Sequence, residues 1–161
     1  SNLINKKNKK NFKLLLAGPN VDKNNIDLLK LVRDLKLEKY IKILGFVKNL
    51  DNFYSAIHLN ILPSVGEAFP ISLLESMIRK KIVIATNVGE NYKILRNKDL
   101  IINSPNIIDI QNSIIKIYEK YSNKEWLNKI EEGLQKIVIE NYDIDNTVNL
   151  FEKEWLKNLN Y

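Results

Sequence analysis

Leu59-Asn60-Ile61-Leu62-Pro63-Ser64-Val65-Gly66-Glu67-Ala68-Phe69-Pro70-Ile71-Ser72-Leu73-Leu74-Glu75-Ser76-Met77, followed by a second apolar run at Ile82-Val83-Ile84-Ala85, is where the architecture becomes readable. The first four residues form a strand-length apolar run stopped by Pro63. Residues 70–80 recur with helical spacing, and 82–85 are again apolar. Strands that are apolar throughout, separated by a helix, predict parallel neighbours buried on both faces.

The same alternation extends in both directions. Residues 12–17 predict a strand closed by Gly18-Pro19-Asn20, and Ile26, Leu28, Leu29, Leu31, Val32 and Leu35 then recur as a helix. Residues 41–44 predict a second strand ending at Gly45, and 51–56 a short helix before the run at 59–62. Residues 100–102 predict a fifth strand, after which 107–121, 124–140 and 146–159 are helical. Right-handed crossovers make this a doubly wound α/β domain with a parallel sheet and a helical C-terminal end. Neither repeat nor low-complexity linker interrupts it, so residues 1–161 read as one domain.

Composition narrows the function classes. Hydrophobic residues are 45% and charged residues 27%, the balance of a globular chain. No apolar run approaches the ~20 residues of a membrane span, and the start has no signal-peptide core. Zero cysteines exclude disulfides, thiolate metal sites and cysteine nucleophiles, which is compatible with a cytoplasmic place. The net charge of +6 invites a nucleic-acid reading. The charges are scattered, however, and the dense run Lys6-Lys7-Asn8-Lys9-Lys10 has no interleaved aromatics for stacking bases. A solvated basic surface fits better, and no nucleic-acid partner is expected.

Ligands of such sheets lie beyond the carboxyl ends of the strands. That rule selects Gly18-Pro19, Gly45-Phe46-Val47, the loop 63–70 and the turn 86–90. Pro70 suits a first helical position, and Phe69 before it is a poor cap. With no acid at Ile71, Ser72 or Leu73, the helix start offers backbone N–H groups and a positive dipole end to an anion such as a diphosphate. Water or Ser72 itself would equally satisfy those donors. Glu67 lies before this helix and Glu75 in its second turn, so their carboxylates can stand roughly 10 Å apart beside the helix start. Glu75 is flanked by Leu73, Leu74 and Met77, and a carboxylate near a buried stripe needs a partner.

The residues 61–95 resemble the signature region of the group 1 family of nucleotide-sugar-dependent glycosyltransferases, which have the GT-B fold. The resemblance rests on Pro63-Ser64, Glu67-Ala68-Phe69-Pro70, Leu74-Glu75-Ser76-Met77, Val83-Ile84-Ala85-Thr86 and Val88-Gly89. Flanking segments agree: Leu15-Leu16-Ala17-Gly18, Ile43-Leu44-Gly45-Phe46-Val47, Tyr54-Ser55-Ala56 and a long helix after Tyr142. It implies that the chain is the C-terminal, donor-binding domain of a retaining enzyme, a Rossmann-like half of the fold. By that likeness Glu75 holds the ribose hydroxyls and Glu67, the catalytic candidate, meets the donor sugar near the reacting carbon. The backbone of Phe69, Pro70, Ile71 and Ser72 contacts sugar and diphosphate, and Gly45-Phe46-Val47 lines the base. The family's retention of configuration is attributed to front-face attack without a protein nucleophile, and no metal or other cofactor is required.

The implied partners are a nucleotide-sugar donor and an acceptor glycan or lipid-linked sugar, the acceptor held mainly by an N-terminal domain that this chain lacks. The resemblance also implies hexosyl transfer in cell-envelope polysaccharide biosynthesis. It places the full-length protein in the cytoplasm, with a peripheral association at the inner face of the membrane compatible with it. The first strand and helix of the domain, with the basic residues that grip the diphosphate, are expected to precede residue 1. The isolated chain is therefore expected to be inactive.

Departures from the family pattern are Ala68 for glycine, Lys80 and Ile82 for the glycine and proline before the fourth strand, Glu90 for the second glycine, and Lys93 for a further glutamate. These leave a non-catalytic nucleotide- or anion-binding module as the alternative. His58 falls at the end of the third strand opposite the site and reads as structural. Trp126 and Trp155 read as packing residues, with the surface around Phe151 and Trp155 left exposed in an isolated domain.

Overall fold

A computed structural model describes residues 12–143 together with Asp145, Val148, Glu152, Lys153 and Leu156. The predicted helix 146–159 lies largely outside the described residues, as do Lys6 to Lys10, Phe151 and Trp155. The chain forms two compact units, Ser1–Ser55 and Ala56–Tyr161.

The first unit runs β1 (Leu14–Ala17), α1 (Ile26–Asp34), β2 (Ile41–Gly45) and α2 (Leu50–Ala56), whose last residue opens the second unit. β1 and β2 are parallel, pairing Leu14 with Ile41 and Leu16 with Ile43, and the register shifts so that Ala17 meets Gly45. α1 starts where the Asn25 side chain accepts from the Leu28 N–H at 2.9 Å. It ends before Lys36, whose φ of 55° breaks the helical path.

The second unit runs β3 (Leu59–Leu62), α3 (Ile71–Ile78), β4 (Ile82–Thr86), α4 (Asn91–Leu95), a 3-10 turn (Lys98–Leu100), β5 (Ile101–Ile102), α5 (Ile107–Lys120) and α6 (Lys124–Asn141). Its sheet has the order β3-β4-β5, parallel throughout. Every residue of the central strand β4 is buried, as its unbroken apolar run predicts. Leu73 and Met77 of α3 pack with Ile82, Ile84, Ile102 and Leu134 in one core cluster. Gln135 of α6 donates to the Ile78 carbonyl at 2.9 Å, satisfying the end of α3.

The parallel α/β fold is as the alternation predicts. At its edges the structure differs. β1 begins at Leu14 rather than at residue 12, because Phe12 is exposed and stacks on Tyr40. α3 starts at Ile71, since Pro70 is the N-cap with an extended ψ of 93°, not the first helical residue. Leu100 belongs to the 3-10 turn, not to β5. The five-residue α4 was not expected, because a single turn shows too little recurrence to stand out.

Candidate functional site

The site builds up from the carboxyl end of β3. Pro63 ends the strand, and the loop beyond it leaves Val65 84% exposed, while Glu67 is half-buried. Phe69 sits with its ring 6.0 Å from that of Tyr142 at a tilt of 56°, and Pro70 is buried beneath the start of α3. Glu67, Phe69, Pro70, Ile71, Ser72 and Glu75 therefore lie on one loop-and-helix segment of the second unit. Among the described residues no side chain hydrogen-bonds or pairs with the Glu67 carboxylate.

The start of α3, like that of the short α4, has neither a side-chain cap nor a first-turn acid. α1, α5 and α6 each begin at an asparagine whose side chain accepts a backbone N–H: Asn25, Asn106 and Asn123. The dipole end of α3 is thus left to interact with whatever occupies the loop side. Further along, Ser76 is fully buried, donates to the Ser72 carbonyl at 3.1 Å and accepts from Asn60 Nδ2 at 2.6 Å. That bond fixes α3 against β3.

The neighbouring turn after β4 lies under the Glu67 loop. Thr86 Oγ1 donates to the Ser64 carbonyl at 2.6 Å, and Asn91 Nδ2 donates to the Thr86 carbonyl at 2.9 Å. Gly89 has a φ of 53°, and a Cβ there would fall 1.8 Å from the Glu67 carbonyl oxygen. Thr86 and Gly89 carry family likeness in the sequence, and Asn91 carries no sequence signal of its own. Their closeness to a loop some 20 positions earlier is a tertiary fact with no local signal.

Gly45, Phe46 and Val47 belong to the first unit, at the carboxyl end of β2. Gly45 is buried with a φ of 71°, donates to the Val21 carbonyl at 2.8 Å and accepts from the Gly18 N–H at 2.9 Å. The loops after β1 and β2 are thereby knitted together, and Phe46 projects from them 72% exposed. His58 precedes β3 at its amino end, its ring edge-on to Tyr121.

The shifted ionisable groups lie on other elements. Hydrogen bonds from Lys116 and Lys120 hold Asp99 at about 2. Burial raises Glu131 against the pull of Lys81 and Lys80, and burial with the nearby Glu131 raises Tyr121. Glu90 pairs with Lys93 at 2.9 Å, so two departures from the family pattern neutralise each other on the surface. Among the described residues no group of three His, Asp or Glu side chains could hold a metal ion, and no helix is long and apolar enough to cross a membrane.

In the second unit, parallel strands place the loop 63–70 and the uncapped start of α3 at their carboxyl ends, where open α/β sheets bind ligands. Residues 2–136 match the family model of glycosyl transferases group 1, and the chain belongs to that family. A glycosyltransferase from Rickettsia africae superposes with a TM-score of 0.82 at 24% identity, over 93% of this chain and 41% of that one. Anabaena Alr3699/HepE in complex with UDP superposes with a TM-score of 0.76 at 21% identity, over 91% and 41%. The C-terminal domain of a group 1 glycosyl transferase, LpcC of Francisella tularensis, gives 0.62 at 24% identity, over 82% and 70%. The chain thus spans about two fifths of the Rickettsia and Anabaena structures. No curated protein sequence matches it. The fold is the Rossmann-like half of a GT-B glycosyltransferase.

Proposed function

We propose that this chain is the donor-binding half of a two-domain, retaining glycosyltransferase that moves a hexosyl group from a nucleotide diphosphate to a glycan, lipid or other acceptor. The observation that carries the reading is the uncapped start of α3, with Glu67 before it and Glu75 within it, in a chain of the group 1 family. The HepE structures with UDP and UDP-glucose support a nucleotide-sugar donor. The acceptor is held mainly by the other half. Work at the cytoplasmic face of a membrane, in cell-envelope polysaccharide synthesis, is part of the same proposal.

The chemistry follows from placement. The diphosphate lies at the α3 start, where backbone N–H groups from Ile71 and Ser72 face the charge that builds on the leaving oxygen. Glu75 accepts from the ribose hydroxyls, and Gly45, Phe46 and Val47 line the base. Glu67 meets the sugar hydroxyls as positive charge develops at the anomeric carbon. The bond from that carbon to the phosphate oxygen breaks while the acceptor oxygen bonds on the same face, and the acceptor proton passes to the leaving phosphate. No protein nucleophile and no metal or other cofactor enters this scheme. Donor positioning and stabilisation of the leaving group supply the rate.

Glu67 and Glu75 then differ in what they control. Glu75 meets a part of the donor that does not react, so Glu75→Ala mainly weakens donor binding. Glu67 gains strength in the transition state, so Glu67→Gln lowers turnover by roughly 10²-fold or more. Steady-state kinetics of both variants in the full-length protein, at saturating acceptor, test this. A Glu67→Gln enzyme with parental turnover and only a raised donor KM would remove Glu67 from the chemistry.

A further inference from the structure

Glu67 has no described side-chain partner, so its position must come from its backbone. Two contacts meet the segment 64–68, one from the last residue of β4 and one from the turn after it. One is the hydrogen bond from Thr86 Oγ1 to the Ser64 carbonyl at 2.6 Å. The other is the face of Gly89. A Cβ there would lie 1.8 Å from the Glu67 carbonyl oxygen, 2.9 Å from its carbon and 3.4 Å from the Ala68 oxygen. The Glu67–Ala68 peptide therefore rests on a bare glycine Cα, where any L side chain would displace it. Between the two contacts, Val65 and Gly66 are exposed, and no atom lies within 4 Å of where a Gly66 Cβ would stand. Further along, the Phe69 ring meets that of Tyr142 at 6.0 Å before the chain reaches Pro70.

The turn is itself rigidly seated. Thr86 is fully buried, and its carbonyl accepts from both Asn91 Nδ2 at 2.9 Å and the Val88 N–H at 2.8 Å. Asn91 is 1% exposed. A buried strand end thus presents one hydroxyl and one glycine upward to the loop that carries Glu67.

We propose that Gly89 and Thr86 are positioning residues that set where the Glu67 carboxylate stands relative to the donor sugar. Neither touches the donor, and the inference rests on the catalytic reading of Glu67 given above. Filling the Gly89 face or removing the Thr86 hydroxyl shifts Glu67 without changing any charge. The nucleotide contacts assigned to Glu75 and to residues 45–47 are untouched by either change.

The test uses the full-length protein and whichever of UDP-, GDP- and ADP-glucose it turns over, with the free nucleoside diphosphate as the binding probe. Gly89→Ala and Thr86→Val are expected to lower kcat by about tenfold or more, as displacement of a catalytic group by about 1 Å does. Nucleoside diphosphate affinity should stay within about threefold, since those contacts do not report on the reacting carbon. Thr86→Ser restores the hydroxyl and should recover most of kcat. Gly133→Ala on α6, where a Cβ meets nothing within 4 Å, should match the parent. If Gly89→Ala does not fold, the Val and Ser variants of Thr86 decide. A smaller than tenfold change in kcat, or a parallel loss of nucleotide affinity, overturns the inference. Glu67→Gln in the same series separates the two claims. A slow Glu67→Gln beside fast Gly89→Ala and Thr86→Val removes only the positioning role, whereas a fast Glu67→Gln removes the catalytic reading itself.

Discussion

Ser76 illustrates how much a single small side chain decides. It lies in α3 with no exposure, between the Ser72 carbonyl it donates to and the Asn60 amide it accepts from. Ser76→Ala leaves the Asn60 donor without its partner in a part-buried place, and should cost about 1–2 kcal/mol in a urea or thermal unfolding experiment. An unchanged midpoint would show that water replaces the hydroxyl at no cost. At this scale the sequence was informative where chemistry is local. Glu67, Glu75 and the poorly capped helix start are all visible in the run 63–77, and only the first helical residue was misplaced by one position. Gly89 was visible as a glycine in a family-like turn. That it lies against the Glu67 peptide was not, because the contact joins two loops that meet only when β3 and β4 pair.

At the scale of elements, periodicity carried the strands and long helices. Asparagine caps at 25, 106 and 123 mark three helix starts with an ordinary local signal. What periodicity could not show is how α5 is tied to the strand before it. Asp99, in the 3-10 turn leading into β5, receives Lys116 at 2.7 Å and Lys120 at 2.8 Å, both from α5. Lys120 also lies 5.6 Å over the Trp126 ring of α6, so one lysine links three elements. The two lysines hold Asp99 at about 2, below its ordinary 3.8. A carboxylate with a depressed folded value contributes stability above its unfolded value and loses it as pH falls toward the folded one. The pairs are partly open to solvent, so the contribution is about 1 kcal/mol. Melting of the parent against Asp99→Asn should differ at pH 7, and the difference should shrink as pH falls below about 4 and vanish only below about 2. A gap as large below about pH 2 as at pH 7 would place the effect in packing rather than charge.

At the scale of the molecule, continuous apolar strands at 41–44, 59–62 and 82–85 were enough to infer parallel pairing, and the ladders of both units have it. The division into two compact units was not legible, since no linker composition marks residue 55. In the first unit the loop 45–47 follows the carboxyl end of β2, and in the second the loop 63–70 follows that of β3. On this account the 161 residues alone bind a nucleoside diphosphate at about millimolar, roughly −4 kcal/mol, and transfer no sugar. Robust turnover by the isolated chain would contradict the assignment of acceptor binding to another domain.

The most direct measurement is a panel of UDP-, GDP- and ADP-sugars offered to the full-length protein, with binding read by calorimetry and the product anomer by NMR. The account predicts that one nucleotide is preferred, that its sugar is transferred, and that the anomeric configuration of the donor is kept. Absence of binding to every member of the panel would contradict the nucleotide-sugar reading of the α3 start, and an inverted product would contradict front-face transfer.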